Sequence, residues 1–150
     1  MNRYIVDSPI GPIGLQCEDD VIIATCFNPQ YESFERMNLP FQIEDKLNAY
    51  FNKKEPILNL PIRLIGTPFQ RRVWEAIATI PFGHTLSYKQ IGDQLGSKAY
   101  QAIGQACGKN PIPLIIPCHR VIAHDGSLGG FSGDIEIKKK LLELEGIRFH

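Results

Sequence analysis

A cysteine and a histidine stand side by side in Pro117-Cys118-His119-Arg120-Val121, directly after the apolar run Leu114-Ile115-Ile116. A free thiol titrates at about 8.5, so only a few per cent is thiolate at neutral pH. A neighbouring imidazole is the group that takes its proton. Glu145 lies twenty-seven residues beyond Cys118, and Asn110 lies eight residues before it. Cysteine, histidine, glutamate and an orienting asparagine are the parts a cysteine nucleophile needs. By residue type alone the set suits nucleophilic chemistry at Cys118, such as a cysteine hydrolase built on Cys118, His119 and Glu145, or a binding module in which the thiol is inert.

These residues need elements to hold them. Leu114-Ile115-Ile116 reads as a buried strand-like segment that delivers Cys118 into a Pro-bounded loop. The first half of the chain is rich in β-branched runs. Tyr4-Ile5-Val6, residues 11–17 and residues 21–26 are separated by turn signals and predict an antiparallel meander that turns at Glu18-Asp19-Asp20. In that hairpin Cys17 and Cys26 lie near opposite ends of the ladder, while a disulfide needs Cα atoms within about 7 Å. A bridge between them stays open at this point. Leu47, Tyr50 and Phe51 mark an amphipathic helix over 43–52. The boundary between two halves is expected near 62–67.

The second half is mostly helical. Thr67 caps a helix with Phe69, Val73 and Ile77 on one face. Ser87 and Gln90 form a capping-box pattern opening a short helix that Gly96 breaks. Ser97 is expected to cap the next helix, which runs to about Cys107 with Gly108 in the C-terminal capping position. Two helices separated by one Gly-containing turn read as a helix-turn-helix or as plain core packing. The second is built from small residues, Ala99, Ala102, Gly104 and Ala106, which let its backbone approach a partner helix or a DNA groove. A last helix runs from near Asp134 to Glu145. A negative charge at that C-terminus opposes the helix dipole and calls for a compensating partner.

The net charge is zero and 43% of the residues are apolar, so the chain has a core and is not a strongly basic nucleic-acid binder. Residues 1–65 carry 6 Lys/Arg against 9 Asp/Glu, and residues 66–150 carry 10 against 7. The basic half is the one with the cysteine, which fits contact with phosphates. No apolar run reaches the length of a membrane span, and the N-terminus has no secretory pattern. Both points place the chain in the cytoplasm or nucleus.

Several segments in order resemble the O6-alkylguanine-DNA alkyltransferases, the methylated-DNA–protein-cysteine methyltransferase family. They are Ser8-Pro9-Ile10-Gly11-Pro12, Gly66-Thr67-Pro68-Phe69-Gln70 with Val73-Trp74, Ile80-Pro81-Phe82-Gly83, Ser87-Tyr88, Gly108-Lys109-Asn110-Pro111, residues 116–121, residues 129–133, and Leu141-Leu142 with Glu145-Gly146. The resemblance implies an α+β (α/β) chain with an RNase H-like N-terminal domain over 1–66. A helix-turn-helix, winged-helix-like domain would span 67–150. It implies direct-reversal DNA repair by irreversible, single-turnover transfer of an alkyl group from O6 of a flipped guanine, or from O4 of thymine, to Cys118. The implied partner is double-stranded DNA bound through the minor groove. The implied protein is a cytoplasmic monomer with no membrane contact or cofactor; some relatives carry a metal in the N-terminal domain, and none is expected here because Cys17, Cys26 and His84 are scattered along the chain.

The resemblance also assigns roles. Glu145 orients His119, and His119 takes the Cys118 proton through a water. Tyr88 donates toward N3 of the purine, and Asn110 braces the active-site turn. The Cys118 and Val121 carbonyls accept from the guanine amine, and the Ser132 N–H donates to O6. Phe131 stacks on the base. Pro113 and the loop from Gly129 wall the alkyl pocket. Ser87, Tyr100, Gln101, Ala102 and Gly104 face DNA.

The chain departs from the family pattern at three places. The recognition-helix arginine that fills the hole left by the flipped base is replaced by Gln101. The preceding alanine is replaced by Tyr100, which either wedges into the stack or widens the helix's footprint. Phe131 stands where many members have tyrosine. Weaker DNA affinity or slower flipping than in arginine-bearing relatives is expected. The alternative within the resemblance is an alkyl-damage-sensing DNA-binding protein with weak or no transfer, against which Cys118 itself argues.

Overall fold

Three strands pair as the β-branched runs require: β1 (Asn2–Val6), β2 (Ile13–Glu18) and β3 (Val21–Phe27), antiparallel and in that order across the sheet. The computed structural model describes residues 2–29, 41–57, 60–128 and 135–149, and the chain divides into two compact units, Met1–Leu64 and Ile65–His150. Asp19 and Asp20 turn β2 into β3 with φ of 51° and 63°. Two successive left-handed residues give the twist that joins antiparallel strands in a two-residue loop, and Asp tolerates that conformation. The register separates the first two cysteines: Cys17 faces Ile22 and Cys26 faces Gly14. Four residues along a strand span roughly 13 Å, beyond disulfide reach, and both are free thiols. Residues 61–63 run beside β3, with the Ile22 N–H donating to the Pro61 carbonyl and the Arg63 N–H to the Ile22 carbonyl, both at 2.9 Å. Helix α1 (Phe41–Lys53) buries Ile43, Leu47, Tyr50 and Phe51 at helical spacing.

In the second unit α2 (Pro68–Ala78), α3 (Tyr88–Leu95) and α4 (Tyr100–Gly108) pack on one another. Thr67 and Gln70 cap α2 reciprocally, and Ser87 and Gln90 do the same for α3. Trp74 on α2 is buried, and its indole N–H donates to the Ala106 carbonyl on α4 at 2.8 Å. The α3–α4 turn begins at Gly96 in the left-handed conformation. Arg72 donates to the Leu95 carbonyl at 3.0 Å and satisfies that helix end.

Two local expectations are corrected. Ser97 does not cap α4. Its hydroxyl oxygen accepts from the Ala99 N–H at 3.1 Å, a tight local turn, and the helix starts at Tyr100 with no side-chain cap. Gly108 is the last helical residue rather than a left-handed cap, and Lys109 follows as the C-cap with φ −101°. Short strands β4 (Leu86–Ser87) and β5 (Val121–Ile122) pair in parallel. Helix α5 (Ile135–Leu144) packs against the turn that carries Cys118.

Candidate active site

The strand expected over 114–116 is instead a tight loop. Pro113 forms an isolated bridge with Ile116, Leu114 takes φ 78°, and the Ile116 N–H reaches back to the Ile112 carbonyl at 2.9 Å. A left-handed leucine between two apolar neighbours needs external support, and Asn110 supplies it. The Asn110 carboxamide oxygen accepts from the Ile112 N–H, and its Nδ2 donates to the Ile116 carbonyl, both at 2.9 Å. That carbonyl also accepts from the Cys118 N–H at 2.7 Å. Asn110 is buried, so each of its polar groups needs these bonds. Cys118, His119 and Arg120 then form one buried 3₁₀ turn.

Glu145 reaches this turn from the end of α5. The Ile147 N–H bonds to the Leu142 carbonyl and the Gly146 N–H to the Glu143 carbonyl, with Gly146 at φ 75°. This is a Schellman closure, and its left-handed residue is best met by glycine. Glu145 is therefore the fixed C-cap of α5. Its carboxylate accepts from His119 Nε2 at 2.6 Å, Arg120 Nε at 2.8 Å, Arg120 Nη2 at 3.1 Å and the Gly83 N–H at 3.0 Å. Burial alone would raise the Glu145 pKa. The hydrogen bonds from His119 and Arg120 outweigh it and hold the carboxyl down to about 2. Arg120 also donates to the Ile80 carbonyl at 2.8 Å and lies over the Phe82 ring at 5.8 Å. The charge that opposes the α5 dipole thus has its partners.

The ionised Glu145 can only accept, so the His119 nitrogen facing it carries a proton. His119 is fully buried, and burial lowers its pKa against the upward pull of Glu145. A neutral ring protonated at Nε2 leaves Nδ1 as a bare lone pair. That Nδ1 is buried and has no hydrogen-bond partner among the described residues. It is a base placed one residue from Cys118.

Lys138, a second cation, completes the surroundings. It lies fully buried on α5 and donates from Nζ to the Val121 carbonyl at 2.8 Å and to the Leu128 carbonyl. Burial pulls its pKa down to about 8, opposed by the charges of Cys118 and Cys107. Cys107, near the end of α4, is pushed up to about 12 by burial and by Cys118. Arg120, Lys138 and the Gly83 N–H were not singled out from sequence. Lys138 had a signal: it precedes Leu141 and Leu142 by three and four residues and so belongs to the apolar face of α5. Within Lys138-Lys139-Lys140 it resembles a solvated run.

The other expected residues fall in two groups. Tyr88 is the first residue of α3, and its ring lies against Gly104 of α4. Ser87 is the N-cap of α3, its hydroxyl oxygen accepting from the Gln90 N–H at 3.1 Å. Gln101 and Ala102 are exposed on α4, Gly104 is half-buried, and Pro113 is buried in the loop that precedes Cys118. The Val121 carbonyl already accepts one bond, from Lys138. Gly129, Phe131 and Ser132 lie outside the described residues. Among the described residues no helix is long and apolar enough to cross a membrane.

The sequence profile described as 6-O-methylguanine DNA methyltransferase, DNA binding domain, matches residues 68–147. A methylated-DNA–protein-cysteine methyltransferase of Mycobacterium tuberculosis is 41% identical, covering 95% of this chain and 91% of its own. The protein of the same name from Saccharolobus islandicus is 42% identical, covering 94% and 93%. A crystal structure of Mycobacterium tuberculosis OGT in complex with DNA superposes with a TM-score of 0.88 at 42% identity, covering 97% of this chain and 92% of that one. Relatives this similar over nearly their full length, carrying the same α+β fold, show that the chain belongs to the methylated-DNA–protein-cysteine methyltransferase family.

Proposed function

We propose that the chain repairs alkylated DNA by direct reversal, moving an alkyl group from O6 of an extruded guanine onto Cys118 once per molecule. The observation that carries this is the bare, buried Nδ1 of His119 beside Cys118, with the opposite ring nitrogen tied to Glu145. His119 Nδ1 takes the Cys118 proton, directly or across one water. The thiolate sulfur attacks the alkyl carbon, an S–C bond forms, and the C–O6 bond breaks with its electron pair going to the purine. Tyr88, at the start of α3, supplies the proton that makes guanine a competent leaving group. The product is a thioether on Cys118, which no group here can cleave.

Asn110 acts by bracing the turn, and Val121, Pro113, Gly129, Phe131 and Ser132 form the purine and alkyl pocket. The DNA partner is a duplex, approached through the minor groove. The small-residue face of α4, exposed at Ala102 and half-buried at Gly104, supports that approach, because the groove is only about 6 Å wide. Gln101 stands at the exposed N-terminal turn of the same helix and faces the stack. Tyr100 has its ring seated on Gly92 of α3, a packing that favours a broadened footprint over a projecting wedge. The reading extends to a cytoplasmic monomer, since each chain holds its own nucleophile, base and α4.

The test is incubation with a duplex carrying one O6-methylguanine, followed by mass analysis of the peptide bearing Cys118, with Cys118→Ala as control. One added methyl group per protein on that peptide is expected. An unmodified peptide, with the methyl group still on the DNA, would leave a damage-sensing protein in place of a transferase.

A further inference from the structure

Cys107 is a buried thiol of the second unit that the transfer chemistry does not use. It stands in the last turn of α4, eleven residues before Cys118. One asparagine fastens the two cysteine segments together. The Asn110 N–H donates to the Cys107 carbonyl at 3.3 Å, and Asn110 Nδ2 donates to the Ile116 carbonyl at 2.9 Å. The same Ile116 carbonyl accepts from the Cys118 N–H at 2.7 Å. The chain between the two cysteines folds back on itself, with Leu114 in the left-handed conformation. Both cysteines are reduced, and they are 5% and 3% exposed. Lys138 acts on both sulfurs, and a charge on Cys118 is felt at Cys107. Coulomb interactions of that kind fall off with distance, so the three groups are neighbours.

The two thiols differ in what surrounds them. Cys118 has the bare Nδ1 of His119 one residue away. It is therefore the thiol that ionises, and the thiolate is the form that an oxidant attacks. Burial, and then the Cys118 charge, push Cys107 up to about 12, so it stays protonated while Cys118 is an anion. Oxidation of Cys118 removes that charge, and the downward pull of Lys138 on Cys107 remains. Cys107 thus becomes the more reactive thiol only after Cys118 has been oxidised. Cys17 and Cys26 belong to the other unit.

We propose that Cys107 is the resolving thiol of Cys118, closing it into a reversible disulfide after oxidation by hydrogen peroxide. The Cys118 thiolate attacks one peroxide oxygen, an S–O bond forms, the O–O bond breaks, and hydroxide leaves to take back the proton that His119 removed. The Cys107 sulfur then attacks the sulfenic sulfur, an S–S bond forms, the S–O bond breaks, and the departing hydroxide takes the Cys107 proton. Peroxide is reduced to water, and the two thiols together lose two electrons. A sulfenic acid with no resolving thiol goes on to sulfinic and sulfonic acids, which thiol reductants do not reverse. A protein that acts once per molecule would then be lost unused, whereas the disulfide keeps it recoverable. The pairing itself needs neither DNA nor an alkyl donor.

The test exposes the intact, reduced protein to stepwise hydrogen peroxide at pH 7.5. Remaining thiols are blocked with N-ethylmaleimide, and peptides are mapped by mass without reduction. A peptide pair joined through Cys107 and Cys118 and lighter by two hydrogens is expected. Methyl transfer from an O6-methylguanine duplex is lost in step with it and restored by dithiothreitol. Cys107→Ala and Cys107→Ser, checked for folding by circular dichroism, transfer as wild type before oxidation. After the same peroxide dose their Cys118 should carry two or three added oxygens, and dithiothreitol should return about fivefold less activity than in wild type. Sulfinic acid on wild-type Cys118 with no joined pair overturns the assignment. So does a Cys118 that stays a thiol, or one paired with Cys17, Cys26 or a second molecule. Absence of transfer by the reduced protein counts against the repair reading, while the peptide map still decides the disulfide.

Discussion

His119 Nε2 and Glu145 Oε2 are 2.6 Å apart in a site closed to solvent, and this one contact decides which nitrogen of the ring is the base. Glu145→Gln keeps the shape and removes the certainty. An amide whose oxygen stays with Arg120 presents N–H₂ to the ring, which forces the proton onto Nδ1 and blocks it as an acceptor. Single-turnover methyl transfer to Cys118 should fall about a hundred- to ten-thousandfold, the range general-base catalysis contributes. Rapid-quench kinetics with folding checked by circular dichroism measures it. A Gln variant as fast as wild type would remove the relay.

The same burial predicts a pH profile. His119 is held below its ordinary value, chiefly by desolvation. Its neutral form therefore persists below pH 6.5, and the acid limb of the transfer rate should lie under that pH. An acid limb centred above 6.5 would mean that His119 titrates as a cation stabilised by Glu145. Rates at saturating DNA between pH 5 and 8, in one ionic strength, separate the two.

Glu145 also links stability to pH. Its carboxyl titrates at about 2 in the fold against 4.5 as a free group. As pH falls below about 4.5 the unfolded chain binds this proton and the folded chain does not, so stability present above 4.5 is lost toward pH 2. The full effect is about 3 kcal/mol. Depressed His119 acts in the same direction from pH 6.5 downward. Urea midpoints should drop between pH 6.5 and 3, and Glu145→Gln should flatten the part below 4.5.

Arg120 neutralises that carboxylate through two bonds and ties it to Ile80. Arg120→Met keeps much of the volume and strands a buried anion. A loss of about 3–5 kcal/mol is expected in urea unfolding at pH 7, the usual cost of removing one partner of a buried pair. Pairing it with Glu145→Gln should recover part of that loss, since no uncompensated charge remains.

Lys138 is a cation that acts on both Cys107 and Cys118. Lys138→Met removes a positive charge from the surroundings of Cys118 and a donor from the Val121 and Leu128 carbonyls. Alkylation of Cys118 by iodoacetamide at pH 7.5 should slow about three- to tenfold, the scale of half to one pKa unit. Lys138→Arg should recover part of the rate only if the wider guanidinium fits the same buried place.

What the residues disclosed in advance depended on whether the signal was local. Thr67 as a cap and Ser87 with Gln90 as a capping box announced their helices, because such signals are satisfied within four residues. Asp19-Asp20 announced its turn for the same reason. Leu114-Ile115-Ile116 misled, since an apolar run bounded by prolines looks like a strand until Asn110 is seen to hold Leu114 in the left-handed region. Ser97 misled because its hydroxyl satisfies the Ala99 N–H instead of a helical one. Arg120 and Gly83 were silent: their common partner Glu145 is 25 and 62 residues distant, and no periodicity encodes such a pairing.

Gln101 is exposed at the N-terminal turn of α4, beside the fixed Tyr100 ring. A neutral side chain there cannot pair with phosphate, and it is shorter than an arginine that would occupy the space an extruded base vacates. Gln101→Arg should therefore raise affinity for duplex DNA about five- to tenfold at moderate salt and steepen the salt slope by about one. Transfer from an O6-methylguanine duplex should quicken while transfer from the isolated nucleoside stays the same, because the nucleoside has no stack to leave. Unchanged affinity and unchanged duplex rate would show that the hole is filled by another group, and Tyr100→Ala in the same assay would then tell whether that group is the neighbouring ring.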